Sequence, residues 1–407
     1  MNFWANKNIS LIVSGGIAAY RACDLIRIFR KDGAKVSVVT TKSALEFVTE
    51  LSFQALSGEH VNSDLFSPIQ ADGMDHIHQT KTSDLMVIAP ATANLIAKMA
   101  MGLADDLATA TILAYDGPKL VAPAMNSRMW LNPATQRNVA QLKQDGVQFI
   151  DPQSGSLACG EDGEGRLAPI EHIVEAAQSA LSKKILAGHR ILITAGPTHE
   201  ALDPVRYISN HSSGKMGLSI CRAALYAGAE VVLIHGPINL EPPPGAELHP
   251  VTSAQEMYDQ SMAAWEAGCS GAILTAAVGD FRPVQQKSDK IKKNSDSDKL
   301  TMELTVNPDI LATLAAKKSG GVVVGFAAET GKSLERGREK MARKNCDLLV
   351  INDLMEPGSG FATDTNRVTL LHNSGKEEPW PLLSKDKVAE KLIQTIATLL
   401  NGVKQNG

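Results

Sequence analysis

Cys159 stands in the stretch LACGEDGEGRL (157–167), among glycines and acids, with no apolar run around it. A structural thiol hides in a core as a small hydrophobe. This one sits in a polar stretch whose glycines allow a flap to fold over a ligand. Two more groups in the same half invite chemistry. Asn126, in PAMN (123–126), follows a strand-like run. Its amide there can grip a carboxylate or close an Asx turn. His76, in GMDHIHQTK (73–81), is a base or a surface histidine. The second half offers charge handling instead. Asn210 precedes SSGKMG (212–217), Asp280 follows an apolar run, and Lys290 opens KIKK (290–293). Lys340 and Lys344 are four apart and share a helix face. Such groups suit neutralisation of a polyphosphate, and such lysines also make ordinary solvated faces. SSGKMG is not a Walker A loop: that motif needs glycine five places before its Gly-Lys, and position 209 is serine.

Two α/β units must position these residues. NISLIVSGG (8–16) reads as a strand and glycine turn, residues 17–34 as a helix, and KVSVVTT (35–41) as the next strand. DLMVIAPAT (84–92) and KLVAPAMN (119–126) repeat the strand-then-loop pattern. After a helix and short basic connection at 176–189 the pattern restarts. RILITAGPT (190–198), a helix at 214–228, AEVVLIHGP (229–237), GAILTAAVGD (271–280), GGVVVGFAAET (321–330) and DLLVINDL (347–354) follow. Strands alternating with helices predict two tandem Rossmann-like parallel-sheet domains, 1–185 and 190–407. Ligands of open α/β sheets bind beyond the carboxyl ends of strands, so SGGIAAY, TTKSA, APATAN and PAMN are the candidate loops. SGGIAA is not G-x-G-x-x-G, and no acid closes the second strand to hold an adenosine ribose. Thr40, Thr41 and Ser43 stand there instead. Hydroxyls and helix-start amides suit a terminal phosphate, so a mononucleotide fits better than NAD. A glycine loop also occurs simply to pack a helix.

Composition narrows the class. The 407 residues are 44% hydrophobic and 21% charged, with a net charge of −4. No basic stripe calls for nucleic acid or an anionic membrane. The five cysteines (Cys23, Cys159, Cys221, Cys269, Cys346) are odd in number and scattered without a C-x-x-C pair. That favours a reducing, cytoplasmic setting over disulfides or structural zinc. No apolar run reaches the ~18 residues that a membrane helix needs.

SGGIAAY, MDHI, APATANLIAKMAMGLADDL, PAMN and ACGEDGEGR resemble the flavin-dependent cysteine decarboxylases, above all those acting on phosphopantothenoylcysteine. ITAGPTHEALDPVRYISNHSSGKMG (193–217), TAAVGDF, KIKK, NPDI, VGFAAET and FATDTN resemble the phosphopantothenate–cysteine ligases. Their order matches the bifunctional coenzyme A biosynthesis family over nearly the whole chain. Gly279, where relatives often carry alanine, is a small departure that removes no functional group.

The resemblance implies a flavodoxin-like, FMN-dependent decarboxylase domain followed by a CTP-dependent ligase domain. CTP and Mg²⁺ would activate 4′-phosphopantothenate as an acyl-cytidylate, and L-cysteine would displace CMP. FMN would then oxidise the thiol-bearing carbon to a thioaldehyde, an electron sink that lets CO₂ depart, and return the hydride to the ene-thiol. In this reading Cys159 supplies the final proton under a closed flap. Asn126 holds the substrate carboxylate and His76 serves thiol oxidation. Ser14, Gly15, Thr40, Ser43 and Thr92 contact FMN. Asn210 helps form the acyl-cytidylate and Lys290 its turnover. Ala276, Asp280, Lys290, Pro308, Asp309, Ile310, Phe326, Lys340 and Lys344 bind CTP. Asp280 stands where nucleotide or metal contact is expected, and the Mg²⁺ ligands stay open. The family further implies a homo-oligomer of trimeric decarboxylase and paired ligase units, a dodecamer by symmetry. A non-catalytic flavin-binding regulatory protein of the same fold is the alternative; His76, Asn126 and Cys159 argue against it. A dehydrogenase lacks its fingerprint here.

Overall fold

Strand residues pointing alternately to opposite faces of a sheet need a core on each face. The first unit shows this directly. Along Asn8–Val13, Leu11 and Val13 pack with Leu25, Phe29 and Ile173, while Ile12 packs with Ile96, Ile112 and Val139. Every one of these side chains is at most 5% exposed, and burying one such side chain contributes about 1.5–3 kcal/mol. The computed structural model describes residues 3–64, 80–156, 162–292, 300–329, 333–353, 360 and 363–405. It divides into two compact units, Met1–Ser182 and Lys183–Gly407.

The first unit carries a six-stranded parallel sheet. Its spatial order is Val61–Asn62, Lys35–Thr40, Asn8–Val13, Leu85–Ala91, Lys119–Pro123 and Gln148–Phe149. Helices Arg21–Lys31 and Ile170–Leu181 cover one face, and Ala93–Met101, Leu107–Ala114 and Pro133–Gln144 the other. The helix expected over 17–34 begins instead as a 3₁₀ turn, Ile17–Tyr20, before the α-helix Arg21–Lys31. Gly16 is extended and offers no side-chain cap, and a 3₁₀ turn is frequent at a helix start. A two-stranded antiparallel hairpin, Gln153–Ser156 with Asp162–Arg166, stands apart from the sheet.

The second unit holds an eight-stranded sheet. Its order is Glu247–Pro250, Glu230–His235, Arg190–Ala195, Gly271–Leu274, Val322–Glu329, Leu348–Asp353, Val368–His372 and Glu377–Pro379, the last two antiparallel. Helices Lys215–Tyr226 and Lys385–Gln405 cover one face, and Ala254–Glu266, Ile310–Lys317 and Ser333–Lys344 the other. The basic connection expected near 186 is part of this unit. Leu186 is buried and its N–H donates to Ala227 O at 2.8 Å.

Both sheets change winding direction once. In the first, the chain moves outward from Asn8–Val13, then returns to lay Leu85–Ala91 on its other side. In the second, the same reversal separates Arg190–Ala195 from Gly271–Leu274. Connections on either side of such a point leave to opposite faces, opening a crevice at the carboxyl ends of the strands. Among the described residues no helix is long and apolar enough to cross a membrane.

Candidate functional sites

The first crevice is braced by Ser14. Its Oγ donates to Pro90 O at 2.7 Å and accepts the Thr92 N–H at 3.0 Å, tying the two strand ends across the switch point. Ser14 is 1% exposed, so its hydroxyl shapes the floor. Thr92 caps the helix Ala93–Met101, its Oγ1 accepting from Leu95 N–H. Beyond them opens a cavity of about 630 Å³, walled by Gly15, Gly16, Thr92, Asn126, Gly165 and Arg166 among others. Ile17, Tyr20 and Met129 also line it and are 49–63% exposed. Large apolar side chains gathered around one concavity mark a ligand surface. A flat ring system with a polar rim fits these walls. Thr40 is buried beside the second strand end, and its Oγ1 lacks a hydrogen-bond partner. Ser43 is exposed and bonds Thr41 Oγ1; its atoms lie 2.5 Å from where a Cβ on Gly15 would stand. Only a glycine fits at position 15. Of the five flavin-contact candidates, Gly15 and Thr92 line the cavity, while Ser14, Thr40 and Ser43 are not among its lining residues.

Asn126 lines the same cavity and caps a short helix, its Oδ1 accepting the Arg128 N–H at 2.8 Å. An Asx-type cap thus fixes this amide at the cavity wall. The glycine hairpin packs directly on this loop. Met125 N–H donates to Gly165 O at 2.9 Å, and a Cβ on Gly165 would stand 2.2 Å from Met125 O. The glycines read as flap hinges thus also permit close backbone approach. Gln153, Gly165 and Arg166, in the hairpin strands, line the cavity. Cys159 and His76 lie outside the described residues. Three of the other cysteines, Cys221, Cys269 and Cys346, are buried. Burial pushes their thiols up, Cys221 to about 12. These are unreactive packing residues.

The second cavity, about 1120 Å³, lies at the carboxyl ends of the central strands of the second sheet. It collects Asn210, Ala276, Asp280, Pro308, Asp309, Ile310, Phe326, Lys340 and Lys344 from segments far apart in the chain. The Asn210 Nδ2 donates to Ala277 O at 3.1 Å and Val278 O at 3.2 Å, clamping the two loops that flank the switch point. The Thr194 Oγ1 accepts the Ala276 N–H, and Asn307 Nδ2 donates to Gly279 O. Asp309 caps the helix Ile310–Lys317 and pairs with Lys344. Burial lowers the Lys344 ammonium, and the Asp280 charge opposes that shift. Lys340 Nζ donates to Phe326 O at 3.3 Å. Arg336, Arg343, Lys215, Lys385, Asn352 and Asn366 join the wall as well. Lys215, through SSGKMG, and Asn366, through FATDTN, carried a sequence signal. The others are brought in by the fold.

Lys290 is not in this wall. It is exposed, on a segment anchored elsewhere by Asp203. Asp203 Oδ2 accepts the Ile291 N–H at 3.0 Å, and Oδ1 accepts from Val205 and Arg206. Lys287 N–H donates to Leu202 O at 3.0 Å. Lys292 is exposed too, and Lys293 lies outside the described residues. Among the described residues no cluster of three or more His, Cys, Asp or Glu could hold a metal ion. A dedicated metal cage is therefore not built by them, and Asp280 is an exposed single carboxylate.

The two units also match two family models. Residues 4–182 match the Flavoprotein family. Residues 186–400 match the DNA/pantothenate metabolism flavoprotein C-terminal domain. The coenzyme A biosynthesis bifunctional protein CoaBC of Bacillus subtilis (strain 168) is 44% identical over 398 residues, 97% of each chain. That of Vibrio vulnificus (strain CMCP6) is 44% identical over 402 residues, 98% of this chain and all of that one. Among solved structures, the C-terminal domain of a CoaBC protein is 37% identical, covering 54% of this chain and 100% of its own, with a TM-score of 0.47. Both halves, in this order and over nearly full length, place the chain in the family of coenzyme A biosynthesis bifunctional proteins, CoaBC.

Proposed function

We propose that this chain makes 4′-phosphopantetheine in two steps: CTP-dependent ligation of L-cysteine to 4′-phosphopantothenate, then FMN-dependent decarboxylation of the product. The observation that carries the reading is the presence of two cavities, one at each switch point, whose walls are the motif loops of a decarboxylase and of a ligase. In the first cavity, FMN supplies the hydride acceptor and donor when bound. The Gly15–Gly16 turn admits the cofactor closely, and Ile17, Tyr20 and Met129 give it an apolar bed. Asn126, fixed by its cap, binds the substrate carboxylate. Cys159 delivers the closing proton, His76 takes part in the thiol oxidation, and the glycine hairpin keeps water out.

In the second cavity, Lys340 and Lys344 offset the triphosphate charge, and the NPDI turn and Ala276 receive the nucleoside. Asn210 positions the reacting acyl phosphate. Mg²⁺ enters with CTP as part of the substrate, Asp280 beside it. Lys290 reaches this chemistry only when its segment moves or a second copy presents it, which agrees with a paired ligase unit. The working form in this reading is a cytoplasmic homo-oligomer.

The test is one reaction followed by mass spectrometry, with full-length protein, 4′-phosphopantothenate, L-cysteine, CTP and Mg²⁺. Appearance of 4′-phosphopantetheine with CMP is expected. Accumulation of phosphopantothenoylcysteine alone would overturn the decarboxylase half. No CMP and no ligated product would overturn the ligase half.

A further inference from the structure

A buried carboxylate needs a reason, because taking its charge out of water is costly unless hydrogen bonds replace the water. The Asp203 side chain is 0% exposed, and it lines neither cavity. It stands in the turn LDPVR (202–206), which joins the antiparallel strands His199–Ala201 and Tyr207–Ser209. Its Oδ1 accepts the Val205 N–H at 2.7 Å and the Arg206 N–H at 2.8 Å, an Asx-type closure of its own turn. A serine hydroxyl or an asparagine carbonyl would close that turn as well. What only the carboxylate adds is a second acceptor. Its Oδ2 takes the Ile291 N–H at 3.0 Å, 88 residues along the chain. The Arg206 guanidinium, 3.7 Å away and 46% exposed, is a weak counter-charge.

Two further bonds clasp the same segment. Lys287 N–H donates to Leu202 O at 3.0 Å, and Arg206 Nη1 to Ile291 O at 3.2 Å. Lys290 is exposed and lies between these fixed points, directly before the second. Whichever copy of the chain it serves, Lys290 starts from a held backbone. The same hairpin leads from Ser209 into Asn210, whose amide clamps Ala277 and Val278 at the cavity. One hairpin therefore carries Asn210 and grips the backbone beside Lys290. In the ligase reading these two residues serve consecutive steps.

We propose that Asp203 is a positioning residue for the ligation step assigned to Lys290: its second oxygen fixes the Lys290 segment to the hairpin that ends in Asn210. The proposal deepens the ligase reading and rests on it. Asp203→Asn isolates the effect. The new carboxamide keeps an oxygen for Val205 and Arg206, so the turn and Asn210 stay in place. It sets an N–H donor against the Ile291 N–H, and that tie breaks.

The test uses full-length wild type, Asp203→Asn, Lys290→Gln and the double variant. Trypsin cleavage of the native protein after Lys290 and Lys292 reads the anchor directly. Pyrophosphate and CMP release, with 4′-phosphopantothenate, L-cysteine, CTP and Mg²⁺, read the two halves of ligation. Loss of a hydrogen bond to a charged group opens the segment, so cleavage in Asp203→Asn should speed up roughly 10- to 100-fold. CMP release should fall on the order of 10-fold or more while pyrophosphate formation is kept. In the Lys290→Gln background Asp203→Asn should cost nothing further, because it acts through that lysine. Losses that multiply in the double variant, or pyrophosphate and CMP falling together, would show general damage and overturn the proposal. Full CMP release in folded Asp203→Asn would overturn it too, with or without faster cleavage. Should Asp203→Asn fail to fold, Asp203→Ser, whose hydroxyl closes the turn but is too short for Ile291, decides by the same criteria. A wild type that releases neither pyrophosphate nor CMP would sink the ligase reading itself and the proposal with it.

Discussion

Gly165→Ala should disable the decarboxylase while leaving the ligase intact. At this position φ is +143°, and an added Cβ would lie 2.2 Å from Met125 O and 3.3 Å from Asn126 C. Ordinary contact between such atoms is roughly 3.5 Å, so the hairpin strand must retreat by about 1 Å. That retreat stretches the 2.9 Å bond from Met125 N–H to Gly165 O. The backbone strain costs about 1–3 kcal/mol, and the weakened hydrogen bond about 0.5–1.5 kcal/mol. Together the first unit loses roughly 2–4 kcal/mol by these two terms. The rate falls further than the stability, because a displacement near 1 Å at a positioned group costs on the order of 100-fold. The assay follows CO₂ release from phosphopantothenoylcysteine, with flavin absorbance as a check on cofactor retention and CMP release as the internal ligase control. Gly146→Ala is the comparison. Gly146 has φ +85°, yet its Cβ would meet nothing within 4 Å. It should cost about 1 kcal/mol of backbone strain and leave the decarboxylation rate alone. Equal decarboxylation rates in the two variants would refute the reasoning, since the contact with the Asn126 loop would then be irrelevant.

Three more outcomes are expected. Cys159→Ser should retain flavin and release CO₂ but accumulate the ene-thiol, read by mass spectrometry; a normal yield of 4′-phosphopantetheine would remove Cys159 from the proton step. Lys290→Gln should lower CMP release at least tenfold with decarboxylation unchanged, and equal loss of both activities would indicate misfolding instead. Asp203 is held below the usual carboxylate range: burial raises it, but the N–H groups of Ile291, Val205 and Arg206 and the Arg206 charge outweigh that. A depressed folded value stabilises above the unfolded value near 3.8, and that contribution disappears as pH falls through the folded value. Asp203→Asn should therefore lower the Tm of the second unit at pH 7 and converge with wild type as pH drops below about 4. A gap that stays constant down to pH 2.5 would show that the charge plays no part.

By itself the sequence determined the two α/β units, their order, and the SGGIAAY, APATAN and PAMN loops that line the first cavity. The reason is local: apolar alternation and helix spacing are set by neighbours within one element, and glycine turns are written in single residues such as Gly15. It also placed Cys159 apart, in a polar glycine-rich stretch, whereas Cys221 lies among the apolar residues of a helical pattern. Asn126 stayed ambiguous there, and the folded chain shows that the capping residue also lines the cavity. Other matters required the tertiary structure. Ser14 carries flavin-loop spacing, yet its hydroxyl braces Pro90 and Thr92, a contact across 76 and 78 residues. Lys290 carries the family pattern, yet Asp203 anchors its segment outside the cavity wall. Lys385 carries no pattern at all, and chain topology sets it near Lys215, 170 positions earlier. Long-range juxtaposition depends on sheet order and winding direction, which no short window of residues encodes.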